Sequence, residues 1–460
     1  MFISKYYLGK NLKQNNKGEK MNNKFKLSAL ALAIALTMPA CANNSENKED
    51  TSKKENVETT EELKTDDKEA ENKEDTKEVA ADEAKDDSKE ESEANEASEE
   101  KKHDFSDKLN GEDGVVKFNK GGSGNLMMTM ARENGYLDEY GLKVEEVPTQ
   151  SIEESFSAVA GGLVDVVPNA GTNEPLQRIA KGDDLRIFGG HMVEGAMYLI
   201  TASDTDYNDL SDLIGKKVVG NPSDYVISGP LLEMGYNPLE EIEWLQLGIG
   251  ADAITAVKTG QADYAIVGTP MSYQVKTDPD IKIAAKKGDI MPKYSCCRME
   301  SKSSFVEDKP ETAKALLKAL MRGKRDFEKD PDNANKILSN ELDMPLEFVE
   351  AYSLDSGYEI NPDPLYNSCV RAWAYLDKLG FLDENAKNID LRDNIMVDLY
   401  KEALDEVIEE VGDEDPEYWD EQIKYFEENN SMYYNNEEEE KYYQELLNTI
   451  EKNSKTNEKN

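Results

Sequence analysis

The residues able to do chemistry in this chain are polar side chains gathered in short turns. Gly122-Ser123-Gly124-Asn125, Thr149-Gln150 and Asn169-Ala170-Gly171-Thr172-Asn173 each follow an apolar run, and His191 follows a fourth. Further along, Asn221-Pro222-Ser223-Asp224-Tyr225, Gly248 to Ala251 and Gly268-Thr269-Pro270 repeat the arrangement. A turn at a strand end that opens a helix presents backbone N–H groups at the positive end of that helix, which favours an anion. Arg298 adds a guanidinium able to grip a carboxylate, sulfonate or phosphate by a two-pronged bond, or to form an ion pair between lobes. His191 is the sole histidine of the expected folded region, fit either to touch a ligand or to sit satisfied and partly buried.

Such turns need elements to hold them. Phe156 to Asn173 and Thr255 to Pro270 echo one another. Each is a short helical run ending at glycine (Gly161, Gly260), then an aspartate (Asp165, Asp263), then a short apolar strand. Glycine suits a left-handed helix cap, and the strands suit a buried parallel sheet whose carboxyl ends face a ligand. Alternating strands (115–118, 142–147, 164–167, 185–188) and helices (126–134, 152–160, 176–180) predict a first α/β lobe. Ser151 and Glu154 predict a capping box, with Ile152, Phe156 and Val159 on one face. Residues 197–201 read as a further strand. A second lobe follows: Leu210 to Gly220 reads as a helical turn, a glycine-lysine corner and a strand, with further strands at 242–247, 264–267 and 281–285 and helices at 226–234 and 251–258. Lys293 to Arg298 is expected to carry the chain back to the first lobe. From Pro310 the pattern turns helical (311–329, 333–338, 346–352, 366–379, 393–403). The boundaries predicted are lobe 1 at about 111–203 and 290–403, and lobe 2 at about 204–289.

The 460 residues carry a net charge of −42, which argues against nucleic acid as partner. Two histidines and no C-x-x-C pair argue against a zinc or copper receptor, and no metal or cofactor is implied. Either Cys296 or Cys297 could pair with Cys369, or all three stay free. Residues 1–41 read as a signal peptide ending in Met38-Pro39-Ala40-Cys41, with Met21 an alternative start. Residues 42–110 read as a disordered acidic linker, holding 24 Asp/Glu against 11 Lys/Arg over 42–102. Residues 404–460 are acidic and rich in tyrosine. They are expected as a loosely attached solvated tail, with Leu446, Leu447 and Ile450 marking a weak amphipathic helix.

The order Gly135-Tyr136-Leu137, Tyr140-Gly141-Leu142, Gly161-Gly162-Leu163-Val164-Asp165, Leu210 to Val219, Gly260-Gln261-Ala262-Asp263 and Pro270 resembles the substrate-binding proteins of ABC importers, over roughly residues 114–403. The branch it looks like is the one for nitrate, sulfonate, taurine and thiamine-pyrimidine precursors. The resemblance implies the type II periplasmic-binding-protein fold, two α/β lobes joined by hinge strands, with a permease and an ATPase as partners and a monomeric receptor. Met38 to Cys41 resembles a lipobox, which implies lipidation of Cys41 and a membrane anchor on the extracytoplasmic face. Ser223 and Asp224 match the position where the family's small polar residue meets the ligand. The expectation is a lipoprotein that captures a small anionic or heterocyclic solute. An enzyme of the pyrimidine-precursor synthase type, using a cysteine nucleophile with His191, is the alternative; an adhesive surface protein is a third.

Overall fold

A computed structural model describes residues 103–457; the signal, Cys41 and nearly all of the acidic linker lie outside the described residues. Twelve strands are present among them. They are β1 (Val115–Lys120), β2 (Lys143–Pro148), β3 (Val166–Val167), β4 (Arg186–Gly190), β5 (Met192–Gly195), β6 (Tyr198–Ala202), β7 (Lys217–Val219), β8 (Glu243–Leu245), β9 (Tyr264–Val267), β10 (Ile281–Lys286), β11 (Arg298–Ser301) and β12 (Tyr358–Ile360). They form a first sheet in the order β2-β1-β3-β11-β4, a second in the order β10-β6-β9-β7-β8, and a ribbon of β12 and β5.

Each sheet has a parallel core and antiparallel additions. In the first, β1 pairs parallel with β2 and β3, while β11 runs antiparallel between β3 and β4. The expected return of the chain thus lands inside the sheet and separates two strands that the sequence alternation made neighbours. In the second, β7, β8 and β9 are parallel, and β6 and β10 are antiparallel. Because β6 pairs with β9 and β10, the chain has crossed to the second lobe before Tyr198, ahead of the expected boundary near residue 203.

The two echoing stretches do the same mechanical job. The Asp165 carboxylate accepts from the Lys117 N–H at 2.8 Å, and the Asp263 carboxylate accepts from the Lys217 N–H at 2.9 Å. The aspartate backbone N–H groups in turn donate to the carbonyls of the same two lysines. Each aspartate therefore sets the register of its strand against its parallel neighbour, β1 in the first lobe and β7 in the second. The left-handed residue in the first unit is Gly162 (φ 72°) and not Gly161, whereas Gly260 (φ 71°) fulfils the role in the second. Ser151 caps its helix through Glu154 N–H, and the Glu154 carboxylate accepts from Gln150 N–H, one residue earlier than the capping box expects. Ile152 points to solvent, unlike Phe156 and Val159, which are buried.

Helix Pro310–Lys329 is buried over fifteen of its twenty residues. Its apolar stripe packs on helix Leu126–Glu133. Gly323 permits the close crossing, since a Cβ there would stand 3.0 Å from the Ala131 backbone nitrogen. The charged face is covered too. Lys318 lies 2.9 Å from Glu406 and 2.8 Å from Glu410, and Arg322 lies 2.7 Å from Glu139. Two glutamates of helix Val397–Val411 thus neutralise a face that a sequence pattern assigns to water.

The C-terminal stretch differs from the expected loose tail. Helices Pro416–Asn429, Ser431–Tyr434 and Asn436–Asn457 bury Trp419, Phe426, Leu446 and Ile450 in the main core. Asn430 donates to the buried Asp363 carboxylate at 2.9 Å and accepts from Tyr366 N–H at 2.9 Å. At the other end, residues 103–110 also pack: Phe105 stacks on Tyr140 at 5.2 Å, and Leu109 is buried.

Candidate functional site

The segment between the lobes is built from both hinge crossings and the turns flanking them. On the first lobe, Thr172 Oγ1 donates to the Ser295 carbonyl at 2.6 Å. It does not cap the helix it precedes, because its hydroxyl is spent on the returning hinge segment. Asn173 Nδ2 donates to the Ser223 carbonyl at 2.8 Å, a bond that passes directly from one lobe to the other. On the second lobe, Asn221 Oδ1 accepts from both the N–H and the hydroxyl of Ser223. Asp224 caps helix Tyr225–Glu233 through Val226 N–H, and its other oxygen meets Lys287 Nζ at 2.9 Å. Tyr225 donates its hydroxyl to the Ser295 carbonyl at 3.3 Å, so Thr172 and Tyr225 converge on one hinge residue. Thr269 Oγ1 donates to the Gly195 carbonyl, tying the second lobe to the outgoing crossing.

A second group sits deeper in the first lobe. Asn169 Oδ1 meets His191 Nδ1, while His191 Nε2 has no partner among the described residues. His191 is fully buried. Burial first, and then the Arg298 charge, push its pKa down to about 3, so the ring is neutral at any ordinary pH. Arg298 is also fully buried. Its guanidinium donates to the Asp363 carbonyl at 2.5 Å and to the Met192 carbonyl at 2.9 Å. The two-pronged grip expected for a ligand anion is thus spent on main-chain oxygens that brace the hinge, leaving only Nε unbonded among the described residues. Two residues on, burial holds the Glu300 carboxyl well above the usual carboxylate range, against the Arg298 charge, which lowers it.

The remaining expected residues form a third group at the end of β1. Thr149 Oγ1 accepts from Asn119 Nδ2 at 3.0 Å and lies 2.7 Å from Ser155 Oγ. Asn125 caps helix Leu126–Glu133 through Met128 N–H, and its buried Nδ2 has no partner among the described residues. The Ser123 carbonyl accepts from the Tyr352 hydroxyl at 2.9 Å. Gly124 is left-handed (φ 66°) and packs on Leu338.

The structure thus gathers Thr172, Asn173, Ser223, Asp224, Thr269 and Arg298 about the hinge, while Ser123, Gly124, Asn125 and Thr149 lie in the group at the end of β1. Sequence reasoning missed Asn119, Ser155, Lys287 and Ser295. Asn119 left a trace, as a polar residue inside an apolar strand; Lys287 left none, because its burial depends on Asp224 from a different helix.

Two α/β lobes joined by crossing strands, with polar turns meeting at the crossing, are the type II periplasmic-binding-protein fold. Residues 125–334 match the model of the family described as NMT1/THI5 like. The formylaminopyrimidine-binding protein of Halalkalibacterium halodurans is 26% identical over 274 residues, covering 55% of this chain and 81% of that protein. The 4-amino-5-hydroxymethyl-2-methylpyrimidine phosphate synthase of Schizosaccharomyces pombe is 23% identical over 221 residues, covering 45% of this chain and 62% of that one. Among solved structures, the periplasmic aliphatic sulphonate binding protein of Escherichia coli superposes with a TM-score of 0.52 at 16% identity, covering 61% of this chain and 92% of that chain. The periplasmic nitrate-binding protein of Synechocystis gives 0.53 at 18% identity, covering 64% and 89%.

Proposed function

We propose that the protein is an extracytoplasmic receptor that captures a small heterocyclic solute of the pyrimidine-precursor type between its lobes and delivers it to the permease and ATPase of an ABC importer, without chemical turnover. The observation that carries this reading is the Asn173 to Ser223 bond. It shows that turns of both lobes reach one another, which is what closure around a solute requires. The heterocycle is favoured over a free anion by charge. The two buried cations of the hinge are already committed, Arg298 to two carbonyls and Lys287 to the Asp224 carboxylate. Among the buried groups left without a partner in the described residues, the His191 Nε2 and the Asn125 Nδ2 are neutral, which suits a neutral hydrogen-bonding ring. The relative named for formylaminopyrimidine points the same way. Lipidation of Cys41, a tether over 42–110 and a monomeric state complete the proposal.

The synthase reading is less supported. It would pair a cysteine with His191, whose ring bonds to Asn169 alone among the described residues. The test is a thermal-shift screen of the purified protein against a formylaminopyrimidine, a thiamine-type pyrimidine, taurine, an alkanesulfonate and nitrate. A pyrimidine should raise Tm and be recovered unchanged. Asn173→Ala, which removes the interlobe bond, should weaken its binding by about tenfold, on the order of 1.4 kcal/mol. Binding of a sulfonate or nitrate but of no pyrimidine would overturn the choice of solute. Consumption of the pyrimidine would overturn the receptor reading.

A further inference from the structure

Cys296 and Cys297 are neighbours in the chain, and their sulfurs lie 3.6 Å apart. In extended backbone successive side chains point to opposite faces, which keeps adjacent thiols away from each other. Here the chain is bent just before them. Lys293 and Ser295 both take left-handed backbone, with φ of 51° and 52°. For residues that carry a Cβ this backbone is disfavoured by the approach of Cβ to the carbonyl oxygen, so the surroundings must impose it. The bonds that do so are on both sides of the hinge. Thr172 and Tyr225 hold the Ser295 carbonyl. Cys296 N–H donates to the Val193 carbonyl at 2.9 Å, and Cys297 N–H to the Met192 carbonyl at 3.0 Å.

Both thiols are free, and they are unlike. Cys297 donates its S–H to Cys296 Sγ. That bond, with the Lys287 charge, the Tyr294 hydroxyl and the Arg298 charge, outweighs burial and pulls the Cys296 thiol down to about 7. The same bond, together with burial, pushes Cys297 up. Cys296 is half-buried, with its sulfur beside Gly195, where a Cβ would stand 2.6 Å away. The third thiol, Cys369, is fully buried against the Pro364 carbonyl, and burial pushes it up to about 12.

We propose that Cys296 and Cys297 form a thiol–disulfide exchange site that accepts a low-molecular-weight disulfide, with Cys296 as the attacking sulfur and Cys297 as the resolving one. The Cys296 thiolate attacks one sulfur of the disulfide R–S–S–R. A Cys296–S–S–R bond forms, the S–S bond of the reagent breaks, and RS⁻ leaves to take up a proton. The Cys297 thiol then loses its proton and attacks Cys296 Sγ, displacing the second RS⁻. The protein loses two hydrogens and gains an eight-membered ring disulfide; the reagent gains two electrons and two protons and leaves as two thiols. Extended backbone keeps neighbouring thiols on opposite faces, and the imposed bend removes that obstacle. The site stands whatever solute the cleft takes.

The experiment exposes the reduced full chain to glutathione disulfide, quenches with acid, unfolds, alkylates and maps the cysteine peptides by mass. The peptide carrying Cys296 and Cys297 should lose two hydrogens and take no alkyl group, while Cys369 is alkylated in full. Cys297→Ser should stop at a mixed disulfide on Cys296. Cys296→Ser should slow the reaction by about 100-fold, because the thiolate fraction controls attack. The wild-type ring alone decides the matter if either variant fails to fold. Full alkylation of both thiols after exposure overturns the proposal, as do two separate mixed disulfides with no ring.

Discussion

Among single residues, His191 shows most clearly how tertiary surroundings reset a side chain. The sequence marks it as a candidate ligand contact, and the structure buries it completely beside Arg298. The consequence is a pH dependence whose sign can be worked out. The unfolded chain protonates His191 near 6.5, and the folded chain only near 3. Between those values the unfolded state binds more protons, so stability is fully present above about 6.5 and drains away as pH falls through the window. At pH 5 the loss from this residue is about 2 kcal/mol relative to pH 7. His191→Gln keeps a donor for Asn169 and removes the titration. Urea unfolding at pH 7 and pH 5 should therefore show a smaller acid loss for the variant by that amount. Equal losses in the two proteins would mean that His191 is protonated in the native state.

Among the elements, helix Pro310–Lys329 organises the first lobe. It packs on Leu126–Glu133 with one face and on Val397–Val411 with the other. The first contact depends on Gly323, where a Cβ would drive into the Met127 carbonyl and approach the Ala131 nitrogen. These are backbone atoms and cannot rotate away. Gly323→Ala should therefore separate the helices and lower stability by about 2–3 kcal/mol, despite its gain in helix propensity. A denaturant midpoint at or above that of the wild type would show that the crossing is looser than drawn. The second contact depends on charge: Lys318 and Arg322 are buried only because Glu406, Glu410 and Glu139 meet them.

For the whole molecule, the C-terminal helices join both lobes. Trp419 and Phe426 fill the core of the first, and Asn430 satisfies the buried Asp363 carboxylate. Asn453 Nδ2 donates to the Glu233 carbonyl at 2.5 Å on the second-lobe helix Tyr225–Glu233. Elsewhere the lobes meet where Tyr273 stacks on Phe348 at 4.3 Å. Ending the chain after Val411 would uncover the aromatic residues' binding surface and leave Asp363 without Asn430. The expected result is a Tm lower by about 10 °C or more, from several kcal/mol of lost burial and hydrogen bonding. Differential scanning calorimetry of the two chains gives the answer. An unchanged Tm would restore the loose acidic tail that composition suggests.

Sequence alone settled what depends on local pattern. Strand and helix periodicity, the glycine and aspartate echo of 156–173 and 255–270, and the cap at Ser151 are all legible one element at a time, because period and capping are short-range. The two-lobed class followed from their order. Tertiary structure decided what depends on which residues meet across long separations. It placed β11 between β3 and β4, spent Arg298 on the carbonyls of Met192 and Asp363, and buried the charges of helix Pro310–Lys329 against glutamates about ninety residues or more away. It also drew the acidic, tyrosine-rich stretch into the core through Tyr418, Trp419 and Phe426. A charge reads as exposed until its partner is known, and two neighbouring thiols read as separate until the backbone is seen to bend.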